Sequence, residues 1–254
     1  MRKTILFYVA LLCSICTVNA QNIDIYPTNW WVNMKTNTVQ LLIRSTGESF
    51  SSDSIHIKYP GVTLLKTHLF TNKRYLAADI SIASDSQPGN VTIEVFQNGK
   101  KRQINWPLNQ RRPGNGTTYA QGVNSADFID LIMVDRFSNG DPNNDRVKGM
   151  KDQSLDRNDM YARHGGDFQG IINNLDYLQG LGITALWFTP VMENDMPNRT
   201  EHGYAITNHY KIDKRYGGDE VYKKLSDELH KRGMKLIFDA VYNHFGLFQF
   251  LEQD

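Results

Sequence analysis

The chain has 254 residues, with 28 Lys+Arg against 27 Asp+Glu and a formal net charge of +1. That balance argues against a nucleic-acid-binding protein, which concentrates basic residues on one face. A hydrophobic share of 40% with 22% charged residues excludes a disordered chain, and the length suits two ordinary domains or one large one.

Arg2 and Lys3 precede an apolar run over residues 5–12, and Val18-Asn19-Ala20 reads as a small-residue cleavage site. The expectation is a signal peptide over residues 1–20 and an exported protein, periplasmic or extracellular. The run is short for a membrane span and no later segment reaches spanning length, so no membrane contact is expected once the signal is removed. Cys13 and Cys16 both lie inside this segment. The mature chain is then stabilised by its core, or by bound metal, rather than by disulfides.

From residue 22 to residue 112 the pattern is strand-like. Val39, Leu41 and Ile43 alternate with other residues, as do Ile55, Ile57 and Tyr59, then Leu76, Ala78, Ile80 and Ile82, then Val91, Ile93 and Val95. Period-2 runs separated by polar turns predict an antiparallel, immunoglobulin-like β-sandwich. Asn98-Gly99 is a two-residue hairpin turn, because both positions tolerate positive φ. Residues 113–125 have the Gly- and Pro-containing composition of a linker.

Beyond residue 126 the period changes. The apolar run Phe128–Asp135 predicts a buried strand, and Phe168, Ile171, Ile172, Leu175 and Leu178 predict one helix ending at Gly180-Leu181-Gly182. Ile183–Thr189 predicts a second strand. Val221, Tyr222, Leu225 and Leu229 predict a helix from near Asp219 to Gly233, and Met234–Ala240 a third strand. Strands apolar on both sides and alternating with helices imply parallel βαβ units over 126–254, the kind of unit that builds a (β/α)8 barrel. The segments after the first two strands, 136–167 and 190–218, are far longer than ordinary connections. In such a barrel they form the C-terminal face, where active sites sit.

Three motifs lie on that face. Asn139, Asp141, Asn144 and Asp145 put hard oxygen donors in a short turn, and Gly165 with Asp167 precedes the next helix. An all-oxygen set without Cys or His suits calcium, although an Asx-rich turn has the same composition. Arg146 and the absence of a closing Glu exclude an EF-hand. His202-Gly203-Tyr204 puts an aromatic ring on the second loop, where it can stack on a sugar ring, although a lone Tyr there is more often a packing residue. Asp239, Asn243 and His244 follow the third strand.

In this order and register these segments resemble the alpha-amylase family of glycoside hydrolases, with the neopullulanase and cyclomaltodextrinase subgroup nearest. The match rests on Asp239–His244 (DAVYNH), Asp135–Asp145 (DRFSNGDPNND) and the stretch HGYAITNHYKIDKRYGG over 202–218. The β-domain likewise resembles that subgroup's N-terminal domain, and the resemblance makes residues 126–254 the first three βα units of an incomplete (β/α)8 barrel. The resemblance implies that Asn139, Asp141, Asn144, Asp145, the Gly165 carbonyl and Asp167 bind Ca2+. It implies a substrate-binding set of His202, Tyr204, Asp239 and His244, with Tyr204 stacking under the sugar and the two histidines bonding its hydroxyls. Asn243 is kept as structural. An α-glucan such as pullulan, cyclodextrin or starch is the implied substrate, and a homodimer the implied assembly.

The family cleaves α-1,4 and in some members α-1,6 bonds with retention, using two carboxyl groups roughly 5–5.5 Å apart. By the resemblance these follow the fourth and fifth barrel strands, with a third carboxylate after the seventh. The expectation is that the catalytic residues lie outside this chain, that it is the N-terminal portion of a longer enzyme, and that alone it is inactive. Two readings compete: a non-catalytic glucan-binding protein using the β-domain with Trp30 and Trp31, and a different calcium-dependent barrel enzyme.

Overall fold

The computed structural model describes residues 23–52, 54–114 and 122–247, and the chain divides into two units at the Gln110–Arg111 junction. The signal peptide expected over 1–20, and residues 115–121 of the expected linker, lie outside the described residues. Among the described residues no helix is long and apolar enough to cross a membrane.

Among the described residues the first unit has strands only: β1 (Ile23–Tyr26), β2 (Trp30–Trp31), β3 (Thr38–Ser45), β4 (His56–Lys58), β5 (Val62–Leu69), β6 (Tyr75–Ile82), β7 (Gly89–Gln97) and β8 (Lys100–Asn109). They form two four-stranded sheets, β1-β3-β6-β5 and β2-β8-β7-β4. Alternation decides which side chains go inward. Val39, Leu41 and Ile43 of β3, Leu76, Ala78 and Ile80 of β6, and Val91, Ile93 and Val95 of β7 meet in one core contributed by both sheets. Trp106 of β8 is fully buried there, and its indole N–H donates to the Pro27 carbonyl at 2.8 Å. Asn98 (φ 47°) and Gly99 (φ 71°) make the expected two-residue turn between the Gln97↔Lys100 pair. The expected purely antiparallel pairing fails at one place, because β2 runs parallel to β8 with Trp30 beside Leu108. The two tryptophan rings are tilted 51° to each other at 6.1 Å, so they present no shared flat face.

The second unit begins with β9 (Ile129–Ile132), a helical turn α1 (Val134–Phe137), and helices α2 (Phe168–Asn173) and α3 (Leu175–Gly180). Strands β10 (Ala185–Phe188), β11 (Met192–Glu193) and β12 (Asn208–Ile212) follow. A 3-10 turn (Lys214–Tyr216), α4 (Gly218–Lys231) and β13 (Lys235–Ile237) close the series. β9, β10 and β13 form a parallel sheet in chain order, in the register Leu131↔Trp187↔Ile237. Ile132, Leu186 and Phe188 pack against Phe168, Ile171, Leu175 and Leu178, and against Leu225 and Leu229 of α4. Two βα crossovers are therefore formed, with a third strand after them. No helix follows β13 among the described residues.

The elements depart from the sequence expectations at their ends. The first strand stops at Ile132 rather than at Asp135, because the Asp135 carboxylate turns back to accept from the main-chain N–H groups of His164 and Gly165. The expected single helix over 168–180 is two, because the Asn174 amide donates to the Gly170 carbonyl at 2.8 Å and competes with the helical ladder. Asp167 caps α2 by accepting from the Gly170 N–H at 2.6 Å.

Glu94, on β7, shows how the outer face of one sheet is held. Its Oε1 accepts from Gln103 on the paired strand, from Lys101 and from Lys58, at 3.0–3.2 Å. These contacts, Gln103 first, lower its pKa from 4.5 to about 2. A carboxylate with a depressed folded pKa stabilises the fold above its unfolded value and loses that contribution as pH falls. Melting temperatures recorded from pH 5 to pH 2 are expected to fall more steeply for the unsubstituted chain than for Glu94→Gln. Parallel curves would show that this cluster contributes nothing to acid sensitivity.

Candidate functional site

Both long connections on the C-terminal face of the parallel sheet are folded around buried charge. Asp213, which caps the 3-10 turn, accepts a two-pronged contact from Arg215 within that turn at 3.0 and 2.7 Å. The Arg215 guanidinium also donates to the carbonyls of Asp152 in the first loop and Asn194 in the second. Burial alone would raise the Asp213 pKa, but the Arg215 hydrogen bonds and the charges of Arg215 and Arg163 outweigh it and hold the carboxyl below its ordinary value. Arg163 crosses the loops in the opposite direction. It comes from the first loop, bonds Thr200 of the second, lies 5.0 Å from the Tyr216 ring centroid, and pairs with Asp135 at 3.4 Å. Sequence reasoning missed Arg163, Asp213 and Arg215 as determinants of this face. Nothing in local spacing marks an arginine as buried.

On this frame sits the predicted sugar-binding set, and its four residues are brought together. The Tyr204 hydroxyl donates to the Asp239 carboxylate at 3.0 Å, and His244 Nε2 meets the Tyr204 carbonyl at 2.8 Å. The Tyr204 main-chain N–H donates to His202 Nδ1 at 2.9 Å, and the two rings are stacked at 6.0 Å with 27° between planes. Gly203 makes this turn feasible: its φ is +85°, and a Cβ there would collide with the Pro190 carbonyl. Asp239 reaches Tyr204 because β13 ends at Ile237 and the following residues leave the sheet at its carboxyl end.

The partners fix the tautomers. The Tyr204 carbonyl only accepts, so His244 carries its proton on Nε2. The Tyr204 N–H only donates, so His202 Nδ1 is unprotonated and its Nε2 carries the proton. Burial lowers the His202 pKa, with Arg199 adding to it against the opposing charge of Glu201. Burial, and then the hydrogen bond and charge of Asp239, raise that of Tyr204. The cluster thus joins an aromatic ring that is 40% exposed to two imidazole rings and a carboxylate. That combination recognises a ring with an apolar face and several hydroxyls.

The predicted metal residues form a second group. Asn139 Nδ2 donates to Asp145 Oδ1 at 2.7 Å, and Gly165, at φ +83°, lies against both. Asp167 accepts from the Gly140 and Asp141 N–H groups and from Asn144 Nδ2 at 3.4 Å. One Asp141 carboxylate oxygen, Oδ1, accepts from the main chain and the side chain of Asn143. Among the described residues no three His, Cys, Asp or Glu side chains gather as a metal site, so the donor set here is two carboxylates supplemented by amides. The side-chain oxygens of Asn139 and Asn144 are buried without a partner. Burial raises the pKa of Asp145; the Asn139 hydrogen bond opposes this and the nearby Asp167 charge adds to it. Unpartnered hard oxygens beside two like charges fit a hard cation such as Ca2+.

Residues 131–253 match the alpha amylase catalytic domain, and residues 24–112 the cyclomaltodextrinase N-terminal domain. Neopullulanase 2 of Thermoactinomyces vulgaris is 41% identical over 118 residues, 45% of this chain and 19% of the relative. The periplasmic alpha-amylase of Escherichia coli is 36% identical over 127 residues, 46% of this chain and 18% of the relative. The intracellular maltogenic amylase of Bacillus subtilis is 37% identical over 119 residues, 45% and 19% respectively. The first curated relatives are thus matched over 10–26% of their own length.

Removing one partner of a buried ion pair leaves the other charge uncompensated, at a cost of about 3–5 kcal/mol. Asp213→Ala and Arg215→Met are each expected to destabilise the second unit on that scale in urea titrations, with the double substitution costing less than the sum. Additive losses would mean that the two residues do not act as a pair.

Proposed function

We propose, for a chain whose residues 131–253 belong to the alpha-amylase family and whose residues 24–112 belong with the cyclomaltodextrinase N-terminal domain, that it is the N-terminal portion of an exported α-glucan hydrolase of neopullulanase or cyclomaltodextrinase type. The observation that carries this reading is the convergence of His202, Tyr204, Asp239 and His244 on one another from a long loop and a strand end. In this reading Tyr204 stacks under a glucosyl ring, His202 donates from Nε2 to one hydroxyl, and His244 Nδ1 accepts from another. Asp239 holds the Tyr204 hydroxyl and so fixes the ring's tilt.

The bond cleaved is α-1,4, and in some members of the family α-1,6, with retention. The nucleophile and the acid/base are proposed to lie beyond residue 254, which leaves these 254 residues to bind glucan without hydrolysing it. The N-terminal sandwich is read as immunoglobulin-like, and a homodimer as the working assembly. Export rests on the Arg2-Lys3 and apolar pattern of residues 1–20; the names of the relatives include both a periplasmic and an intracellular enzyme.

Ca2+ would be held by Asn139, Asn144, Asp145, the Gly165 carbonyl and Asp167. Its contribution is structural: it neutralises the Asp145–Asp167 pair and ties the turn to the start of α2. Calcium at about a hundred times its dissociation constant would add on the order of 3 kcal/mol. Chelation is therefore expected to lower the melting temperature of the second unit, and Asn139→Ala to abolish that response. An unchanged transition on chelation overturns the calcium assignment.

Calorimetric titration with maltotetraose, with reducing-sugar release from pullulan, cyclodextrin and starch assayed in parallel, tests the main reading. The expected result is binding without hydrolysis, weakened at least about tenfold by Tyr204→Ala. Absence of binding overturns the glucan site. Hydrolysis by the 254 residues overturns the placement of the catalytic carboxylates.

A further inference from the structure

His209 lies on β12 and belongs to none of the groups described above. Its Nε2 lies 2.8 Å from the Val241 carbonyl, and its ring meets Phe245 edge-on with centroids 4.8 Å apart. Val241 and Phe245 bracket His244. Two other bonds join the same pair of segments: His244 Nε2 to the Tyr204 carbonyl, and the Gly246 N–H to the Ile206 carbonyl at 2.7 Å. Residues 241–246 are thus laced to residues 204–209, and His209 is the side chain that enters this seam from the loop side.

Its bonding state follows from its partner. A carbonyl only accepts, so His209 carries a proton on Nε2 and donates it, while Nδ1 is buried and without a partner. The side chain therefore contributes one donated hydrogen bond and one aromatic edge, both directed at the residues flanking His244.

We infer that His209 is a positioning residue for the sugar-binding cluster: by gripping Val241 and Phe245 it sets where His244 stands relative to Tyr204. This deepens the glucan-binding reading and rests on it. His209 touches no ligand in this account; it acts through the segment that carries His244. Small displacements of a binding group weaken recognition steeply, so the effect on affinity should exceed the effect on folding.

The test compares His209→Ala with His209→Gln, whose Nε2 occupies nearly the same place as the imidazole donor. Maltotetraose affinity is measured by calorimetry, and hydrogen exchange of the Gly246 amide reports the seam independently of any ligand. In His209→Ala, affinity is expected to fall by about tenfold or more, with faster Gly246 exchange. In His209→Gln, both are expected to stay close to those of the unsubstituted chain. An alanine variant that keeps both its affinity and its Gly246 protection overturns the inference, as does a glutamine variant that is no better than alanine. If the unsubstituted chain does not bind maltotetraose, the glucan reading fails and this inference fails with it. Binding in the unsubstituted chain with no change in either variant removes only the role of His209.

Discussion

The site depends on two guanidinium groups that have no access to water. Arg215 and Arg163 are each 1% exposed, and each contacts groups from both long connections. Ordering a loop costs on the order of 1–2 kcal/mol per residue in backbone entropy, and loops with few apolar side chains have little hydrophobic burial to offset it. Here the offset comes from fixed polar geometry. Arg215 satisfies Asp213 and two carbonyls from different loops, and Arg163 joins Asp135, Thr200 and the Tyr216 ring. A buried pair of this kind adds little net stability over a well-packed apolar substitute, but it tolerates one arrangement only. The connections are thereby held in register with each other as well as with the sheet.

That register reaches the candidate binding residues. Thr200, bonded to Arg163, is two residues before His202. The Tyr216 hydroxyl donates to the Glu201 carbonyl, one residue before it. Gly203 then lies against the Pro190 carbonyl at the end of β10. The turn carrying His202 and Tyr204 is thus fixed on both sides, and Asp239 and His244 bond Tyr204 from the strand-end segment, at its hydroxyl and its carbonyl.

The Asn139–Asp167 group and the Tyr204 group draw on different segments. The first connection supplies oxygens to the turn at 139–145 and the Asp167 carboxylate to the start of α2; the second supplies His202 and Tyr204, and the segment after β13 supplies Asp239 and His244. The bridging arginines couple the two connections without belonging to either group. The N-terminal unit has its own core around Trp106 and both of its sheets.

Much of this was legible in the residues. Alternation at Val39, Leu41 and Ile43 and helical spacing through Leu225 and Leu229 report local periodicity, and local periodicity survives into the fold because it decides which face is buried. Asn98-Gly99 was legible because its conformation depends on two residues alone. The strand ends were less so: Asp135 left the sheet for main-chain donors about thirty residues away, and Asn174 broke a helix through its own side chain. By itself the sequence determined the two-region organisation, the order of the parallel strands, the length of the two connections and the residue types at the strand ends. Only the tertiary structure decided that β2 runs parallel to β8, that His209 bonds the segment carrying His244, and that Arg163 and Arg215 are buried. Each of these depends on which distant main-chain group arrives at hydrogen-bonding distance, and spacing along the chain does not record that.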